Sequence, residues 1–153
     1  MKRTLSIPVK SFSLNSMFCK NRAFTTADYK TWAYSIFHRL DTEENLQAFE
    51  NLRSAFDKKK HAYSVSIITY FPTADLYTKK GILSSRAFDL SNIEKPLIDL
   101  IFLPKYFDQP SPYGIANLNI DDKYIIDLSS KKRAADEHRI DIEIEIVPNL
   151  FNI

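Results

Sequence analysis

The feature that most constrains this chain is the alternation in residues 139–147, RIDIEIEIV. From residue 140 to residue 146, isoleucine occupies every second position, and an acidic residue occupies each position between two isoleucines. Because successive side chains of a β-strand point to opposite faces, this period of two predicts a strand over residues 138–147. Its isoleucines face a core and its acids face solvent, so the strand belongs to a sheet that is covered on one face. The alternating residues are Ile140, Ile142, Ile144 and Ile146, with Asp141, Glu143 and Glu145 between them.

Three other segments predict strands. Residues 62–71 (AYSVSIITYF) are rich in β-branched and aromatic residues and form the best candidate for a central strand, which Pro72 ends. Residues 3–9 and 123–130 predict two more. We expect the segments 123–130 and 138–147 to form a hairpin or a pair joined by a wide loop.

Three segments predict helices. The first begins after Thr25 or Thr26, either of which can cap it, and keeps an apolar stripe as far as Leu40. The second covers about 42–59, and its terminal lysines 58–60 suit the C-terminus of a helix. The third runs from Asp89 to about Phe102, although Pro96 would kink it or move its regular start towards residue 92. These elements predict a single α/β domain with a mixed sheet of about four strands and two to three helices.

Composition excludes several classes of protein. With 44% hydrophobic and 13% aromatic residues over 153 positions, the chain has the content of one packed domain. The single cysteine, Cys19, excludes an intramolecular disulfide, and 2 glycines are too few for a glycine-rich phosphate loop. No apolar run is long enough for a membrane span or a signal-peptide core, so we expect a cytoplasmic protein.

Charge is segregated along the chain. Residues 1–40 contain seven Lys or Arg against the single acid Asp28, whereas residues 134–153 contain five acids against Arg139. A basic region suits a polyanion such as nucleic acid, because phosphate contacts release counterions. An ordinary solvated surface explains the same distribution equally well, so charge alone leaves both interpretations open.

The segment RAFDLSNIEKPLIDL, residues 86–100, carries the most informative polar pattern. Asn92, Lys95 and Asp99 follow one another on one face of the predicted helix, with Asp89 at its start. A second acidic pair, residues 121 and 122, precedes a predicted strand and could face the helix. Mg²⁺ needs only one or two carboxylates beside water and substrate phosphate. Helix capping and turn formation explain the same acids, and from spacing alone that explanation is favoured.

Taken together, five segments of the chain resemble the RusA family of Holliday-junction resolvases. They are IPVKSFSLNSMF, RAFTTADYKTW, RAFDLSNIEKPLIDL, NIDDKYIIDLSSKKR and the closing alternating strand. The resemblance implies a RusA-like fold over residues 1–153. It also implies Mg²⁺-dependent cleavage of four-way DNA junctions by a homodimer, in the cytoplasm of a bacterium or a phage-infected host, with Mn²⁺ as a possible substitute metal.

The same resemblance assigns site residues. It makes Asp89, Lys95 and Asp122 catalytic, and it places Asp89, Ser91, Asp99, Asp121 and Asp122 at the metal. Ser91 stands where the family pattern has a second aspartate, which leaves the site one carboxylate short. Relative to a minimal family member, residues 41–60 form an inserted helix, and the loop from Lys105 to Leu118 is long.

The predicted DNA contacts are basic residues spread over the chain. They are Lys10, Lys20, Arg22, Lys79, Lys80, Arg86, Lys131, Lys132 and Arg133. Two other interpretations stay open at this point: a module that binds branched DNA without cutting it, and an unrelated small α/β interaction protein whose acids are caps.

Overall fold

The computed structural model describes residues 1–17, 26–103 and 117–151. Within these ranges the chain forms four strands and four helices. The strands are β1 (Lys2–Ile7), β2 (His61–Pro72), β3 (Ile125–Ala135) and β4 (Arg139–Pro148), and the helices are α1 (Ala27–Leu40), α2 (Glu43–Ser54), α3 (Thr73–Leu76) and α4 (Leu90–Phe102). The predicted α/β domain with a four-stranded mixed sheet is confirmed. The single turn α3 was not predicted.

The sheet has the strand order β1-β4-β2-β3. Strand β4 runs antiparallel to both of its neighbours, and its Ile142 is the register partner of Leu5 on β1 and of Ile67 on β2. Ile142 and Ile144 are fully buried, as the alternation predicted. Strands β4 and β2 therefore occupy the centre of the sheet.

The predicted pairing of the last two strands is wrong. Strands β3 and β4 both bond to β2, which lies between them: Tyr70 is the register partner of Arg133 on one side and of Arg139 on the other. Strand β2 is apolar at every second position over most of its length, and this makes it the natural centre of the sheet. Parallel pairing of β3 with β2 needs a long crossover, which the segment containing α4 provides.

Helices α1, α2 and α4 share one core with the buried face of the sheet. Each contributes fully or almost fully buried side chains, among them Ile36 of α1, Phe49 of α2 and Leu97 of α4. The opposite face of the sheet carries half-buried polar side chains such as Ser66 and Tyr70. The helices therefore cover one face only.

The two N-terminal helices both begin at threonine caps: Thr26 is one of the two predicted for α1, and Thr42 stands at the predicted start of α2. The Thr26 Oγ1 accepts the N–H of Tyr29 at 3.1 Å, and the Thr42 Oγ1 accepts the N–H of Asn45 at 3.2 Å. Thr25, the other predicted cap for α1, lies outside the described residues.

Helix α2 ends earlier than the predicted residue 59. It stops at Ser54, and the carbonyl of Asp57 then accepts the N–H groups of Lys60 and His61 at 2.9 and 2.8 Å. The Asp57 side chain also accepts the N–H of Lys59 at 2.9 Å. The predicted position of the lysines at a helix C-terminus is therefore wrong, because a turn organised by Asp57 holds them instead. Whether residues 41–60 are an insertion stays a prediction.

Helix α4 is apolar over most of its surface. It begins at Leu90 and contains Pro96 in its interior, and every residue from Pro96 to Phe102 is buried. The buried Tyr29 hydroxyl donates to the carbonyl of Pro96 at 2.9 Å and ties α1 to α4. A charged residue in so apolar a helix needs a specific partner.

Candidate metal centre

The candidate site is built around Asp99 in the last turn of α4. This residue is 6% exposed, and among the described residues it is the one buried residue that carries a charge. The Lys95 Nζ donates to its two carboxylate oxygens at 3.1 and 3.4 Å from one turn earlier in the helix. Burying a carboxylate is costly unless it is paired, so Lys95 offsets part of the penalty.

Backbone hydrogen bonds bring a second acidic segment to the same end of α4. The N–H of Leu118 donates to the carbonyl of Ile101 at 2.8 Å, and the N–H of Ile120 donates to that of Phe102 at 3.1 Å. These bonds satisfy carbonyls that the end of a helix leaves without partners. The segment then continues directly into Asp121 and Asp122, which are placed beside the last turn of α4.

The electrostatics of Asp122 couple it to the charged groups at this end of α4. Its pKa is raised above the usual carboxyl value, first by burial and then by the negative charges of Asp99 and Asp121 and a hydrogen bond with Asp121. The charge of Lys95 acts in the opposite direction. We refer to Asp99, Asp121, Asp122 and Lys95 as the Asp99 cluster.

The two neighbouring aspartates have different structural roles. The Asp121 side chain accepts the N–H of Lys123 at 2.8 Å and starts a short 3-10 turn over Asp122–Tyr124. Turn formation therefore accounts for Asp121, as the alternative interpretation expected. The negative charge of Asp99 on α4 acts on Asp122 in the turn, so these two carboxylates are the candidate ligands for a cation.

Asp89 occupies the opposite end of α4. It is the N-cap residue, yet its side chain makes no capping hydrogen bond, and its backbone carbonyl accepts the N–H of Asn92 at 2.9 Å. Capping by the side chain therefore does not explain an aspartate at this position. Ten residues separate Asp89 from Asp99, which is about 15 Å along a helix axis. The pairing of Asp89 with Asp122 stays a prediction.

Ser91 lies on the face of α4 that leads to the cluster. Ser91, Lys95 and Asp99 are spaced by four residues, so they follow one another along one side of the helix. Ser91 is exposed and one turn from Lys95. Five predicted site residues thus lie on this side of α4 or beside its last turn: Ser91, Lys95, Asp99, Asp121 and Asp122.

The donor set suits a hard divalent cation. In the parts of the chain that the structure describes, no three His, Cys, Asp or Glu side chains are placed to hold a metal ion together. The pair Asp99 and Asp122 offers oxygen ligands only, and Mg²⁺ commonly takes one or two carboxylates and completes its shell with water and phosphate. A cation between them would relieve the repulsion that raises the pKa of Asp122.

The predicted DNA contacts lie on exposed elements. Lys79 and Lys80 are exposed in a tight turn, Arg86 is exposed before α4, and Lys10 is exposed after β1, where its carbonyl accepts the indole N–H of Trp32 at 2.6 Å. Lys20 and Arg22, together with Cys19 and most of the loop from Lys105 to Leu118, lie outside the described residues.

The basic triplet near the end of β3 lies inside the strand. Lys131, Lys132 and Arg133 follow one another on the edge strand, which is longer than predicted. Arg133 is the register partner of Tyr70, and on the other side of Tyr70 the guanidinium of Arg139 stacks 4.0 Å from the ring centre. The sequence did not predict that Arg133, Tyr70 and Arg139 lie side by side across the sheet, because this arrangement depends on β2 lying between β3 and β4.

Fold and site together define a small mixed α/β protein with a carboxylate pair beside a lysine. No model of a known protein family matches the sequence, and no curated protein matches it. Within the described ranges, none of the helices combines the length and apolar character needed to cross a membrane.

Proposed function

We propose that this chain is a Mg²⁺-dependent endonuclease that cleaves branched DNA, with the four-way junction as its substrate. The observation that carries the proposal is the buried Asp99–Lys95 ion pair at 3.1 Å, with the segment that leads into Asp122 hydrogen-bonded to the same end of α4. Asp99, Asp122 and Lys95 are among the residues that the resemblance to RusA resolvases names, whereas Asp89, which it also names, lies at the opposite end of α4. Mn²⁺ is the expected substitute metal.

The chemistry needs few protein groups. A bound Mg²⁺ would supply an activated water and would neutralise charge on the scissile phosphate. The carboxylates of Asp99 and Asp122 would hold the ion, and Asp121 keeps the turn that carries Asp122 in place. Lys95 has a side chain that is 48% exposed, so its ammonium group reaches solvent and can stabilise negative charge on the phosphate.

The DNA would contact basic residues before the start of α4 and near the end of β3. Lys79, Lys80 and Arg86 precede α4 in the chain, and the basic triplet of β3 pairs with residues 68–70 near the C-terminal end of β2. Phosphate contacts of this kind give affinity that falls steeply with salt. A homodimer with a two-fold axis would match the symmetry of a four-way junction.

A second candidate is a module that binds branched DNA without cutting it. Two observations favour it: Ser91 stands where the family pattern has an aspartate, and the described residues provide no group of three metal ligands. This candidate predicts the same DNA contacts and no dependence on Mg²⁺.

Cleavage and binding of one labelled four-way junction separate these functions. The wild type is compared with Asp99→Asn, Asp122→Asn and the control Asp127→Asn, which removes an exposed acid of β3. The nuclease predicts cutting in Mg²⁺ that both site variants lose and the control keeps. Cutting that persists in both site variants contradicts it. Tight binding without cutting supports the binding module, and the absence of salt-sensitive DNA binding supports an unrelated interaction protein.

A further inference from the structure

An open groove of about 610 Å³ lies between α3 and the segment that leads into α4. Its lining includes two cationic side chains, three hydroxyl side chains and one aromatic ring, and no acid. The residues are Lys79, Arg86, Thr73, Thr78, Ser84 and Tyr77. This volume falls in the range of sites for small organic ligands, which is roughly 300 to 1,000 Å³.

The polar lining is suited to an anion. The Thr78 Oγ1 accepts the N–H of Ile82 at 3.2 Å, and the Ser84 Oγ accepts the N–H of Arg86 at 3.1 Å. Each hydroxyl uses its oxygen as an acceptor in these bonds, so its own O–H can still donate. With Lys79 and Arg86 the groove offers charged and neutral donors together, which is the chemistry that a phosphate group requires.

Tyr77 adds a stacking surface on a firmly held backbone. Its side chain is 38% exposed, and Tyr77 forms a β-bridge with Leu83. The N–H of Thr78 donates to the carbonyl of Ile82 at 2.7 Å, and Gly81 takes the positive φ of 76° that the tight turn between them needs. An aromatic ring held in this way can stack on a base without much loss of entropy.

We propose that this groove binds an unpaired nucleotide of single-stranded DNA, with its phosphate on Lys79 and Arg86 and its base on Tyr77. The inference deepens the proposed function and rests on it for the choice of DNA as the ligand. Arg86 stands three residues before Asp89, so a strand held here would continue towards the face of α4 that carries Lys95. Unpaired nucleotides are present in flaps and forks and are absent from continuous duplex and from a fully paired four-way junction, so the groove would favour branched DNA that carries a single-stranded segment.

The test measures binding of a labelled oligothymidine by fluorescence anisotropy in EDTA over a range of salt concentrations. Tyr77→Ala should weaken binding by about five- to a hundredfold, whereas Tyr77→Phe keeps the ring and should stay within about twofold. Removing both cations, in Lys79→Ala with Arg86→Ala, should reduce the slope of log affinity against log salt by about 0.7 for each phosphate that the variant no longer neutralises. The charge control is Lys58→Ala, because Lys58 is exposed at the opposite end of the 12-residue strand β2.

The outcomes separate this inference from the proposed nuclease. Equal oligothymidine binding by the wild type and Tyr77→Ala contradicts nucleotide binding by the groove. The absence of oligothymidine binding in a protein that cuts junctions contradicts it too. Tyr77-dependent binding in a protein that cuts nothing supports the groove and contradicts the nuclease. If Lys58→Ala weakens oligothymidine binding as much as the double variant does, the DNA is attracted to lysines in general, and the proposed site is contradicted. Circular dichroism checks the fold of each variant. If Tyr77→Ala does not fold, the salt dependence of the double variant tests the groove instead.

Discussion

Replacing Asp122 by Asn should stabilise the protein when no metal is bound. The ionised carboxylate of Asp122 is partly buried and faces the charges of Asp99 and Asp121, and Lys95 compensates this only in part. Interactions between partly exposed charges are typically worth about 0.2 to 1 kcal/mol, because solvent screens them. With Lys95 opposing, we expect a gain on the order of 1 kcal/mol, which for a chain of this size raises Tm by about 2 to 4 °C.

The sign of the pH dependence follows from the raised pKa. Because the pKa of Asp122 is higher in the folded than in the unfolded protein, its ionised form opposes folding at neutral pH. That penalty is fully present above the folded-state pKa and is lost as pH falls through it. The difference in Tm between Asp122→Asn and the wild type should therefore be largest near pH 7 and should shrink towards pH 4.

Differential scanning fluorimetry in EDTA and in Mg²⁺ tests this reasoning. At a hundred times its dissociation constant, Mg²⁺ should stabilise the wild type by about 2.7 kcal/mol, or roughly 5 to 10 °C, and should leave Asp122→Asn nearly unchanged. The matched control is Asp127→Asn, whose response should equal that of the wild type. A variant that is less stable than the wild type in EDTA, or that gains as much from Mg²⁺, would refute the account of the Asp99 cluster.

Three further variants probe the site and the core. Ser91→Asp adds a carboxylate about 12 Å along α4 from Asp99, too far to join an ion held by Asp99 and Asp122, and should leave the Mg²⁺ concentration for half-maximal thermal stabilisation within about twofold; a midpoint lowered severalfold would place the ion near Ser91 and contradict the Asp99 cluster as its site. Tyr63→Phe removes a buried hydroxyl that donates to the carbonyl of Leu52 at 3.0 Å and should cost about 1 to 2 kcal/mol in urea unfolding, and a loss below about 0.3 kcal/mol would contradict that bond's contribution. Ile142→Ala empties a fully buried position of β4 and should cost about 2 to 5 kcal/mol, against less than about 0.5 kcal/mol for the exposed control Thr4→Ala on β1.

The elements that the sequence predicted well are those determined by local pattern. The alternating isoleucines of β4 and the threonine caps of α1 and α2 depend on periods and hydrogen bonds within a few residues. The end of α2 was misplaced for a local reason too, since the Asp57 turn competes with continuation of the helix towards the lysines. Strand order is different: the composition of residues 62–71 predicted a central strand, but which strands flank it depends on long-range packing that no short segment encodes.

The candidate site shows the same division. Helical spacing put Lys95 and Asp99 on one face of α4, but it did not show what packs on that face. Asp99 appeared secondary from the sequence and lies at the centre of the cluster in the structure, because backbone hydrogen bonds from Leu118 and Ile120 bring Asp122 beside it. Such bonds leave no side-chain pattern in the sequence. The lining of the groove around Tyr77 was hidden for a similar reason, since α3 and the turn at Gly81 bring it together.

The central claim is that the carboxylates at the end of α4 support Mg²⁺-dependent cutting of branched DNA. It is tested most directly by the single-turnover rate of cleavage of a labelled four-way junction, measured over a titration of Mg²⁺. We predict a rate that saturates with Mg²⁺ in the wild type and in Asp127→Asn, and that falls at least about a hundredfold in Asp122→Asn and in Lys95→Ala, as expected when a group that stabilises transition-state charge is removed. A rate that is independent of Mg²⁺, or that is the same in the wild type and Asp122→Asn, would contradict the claim.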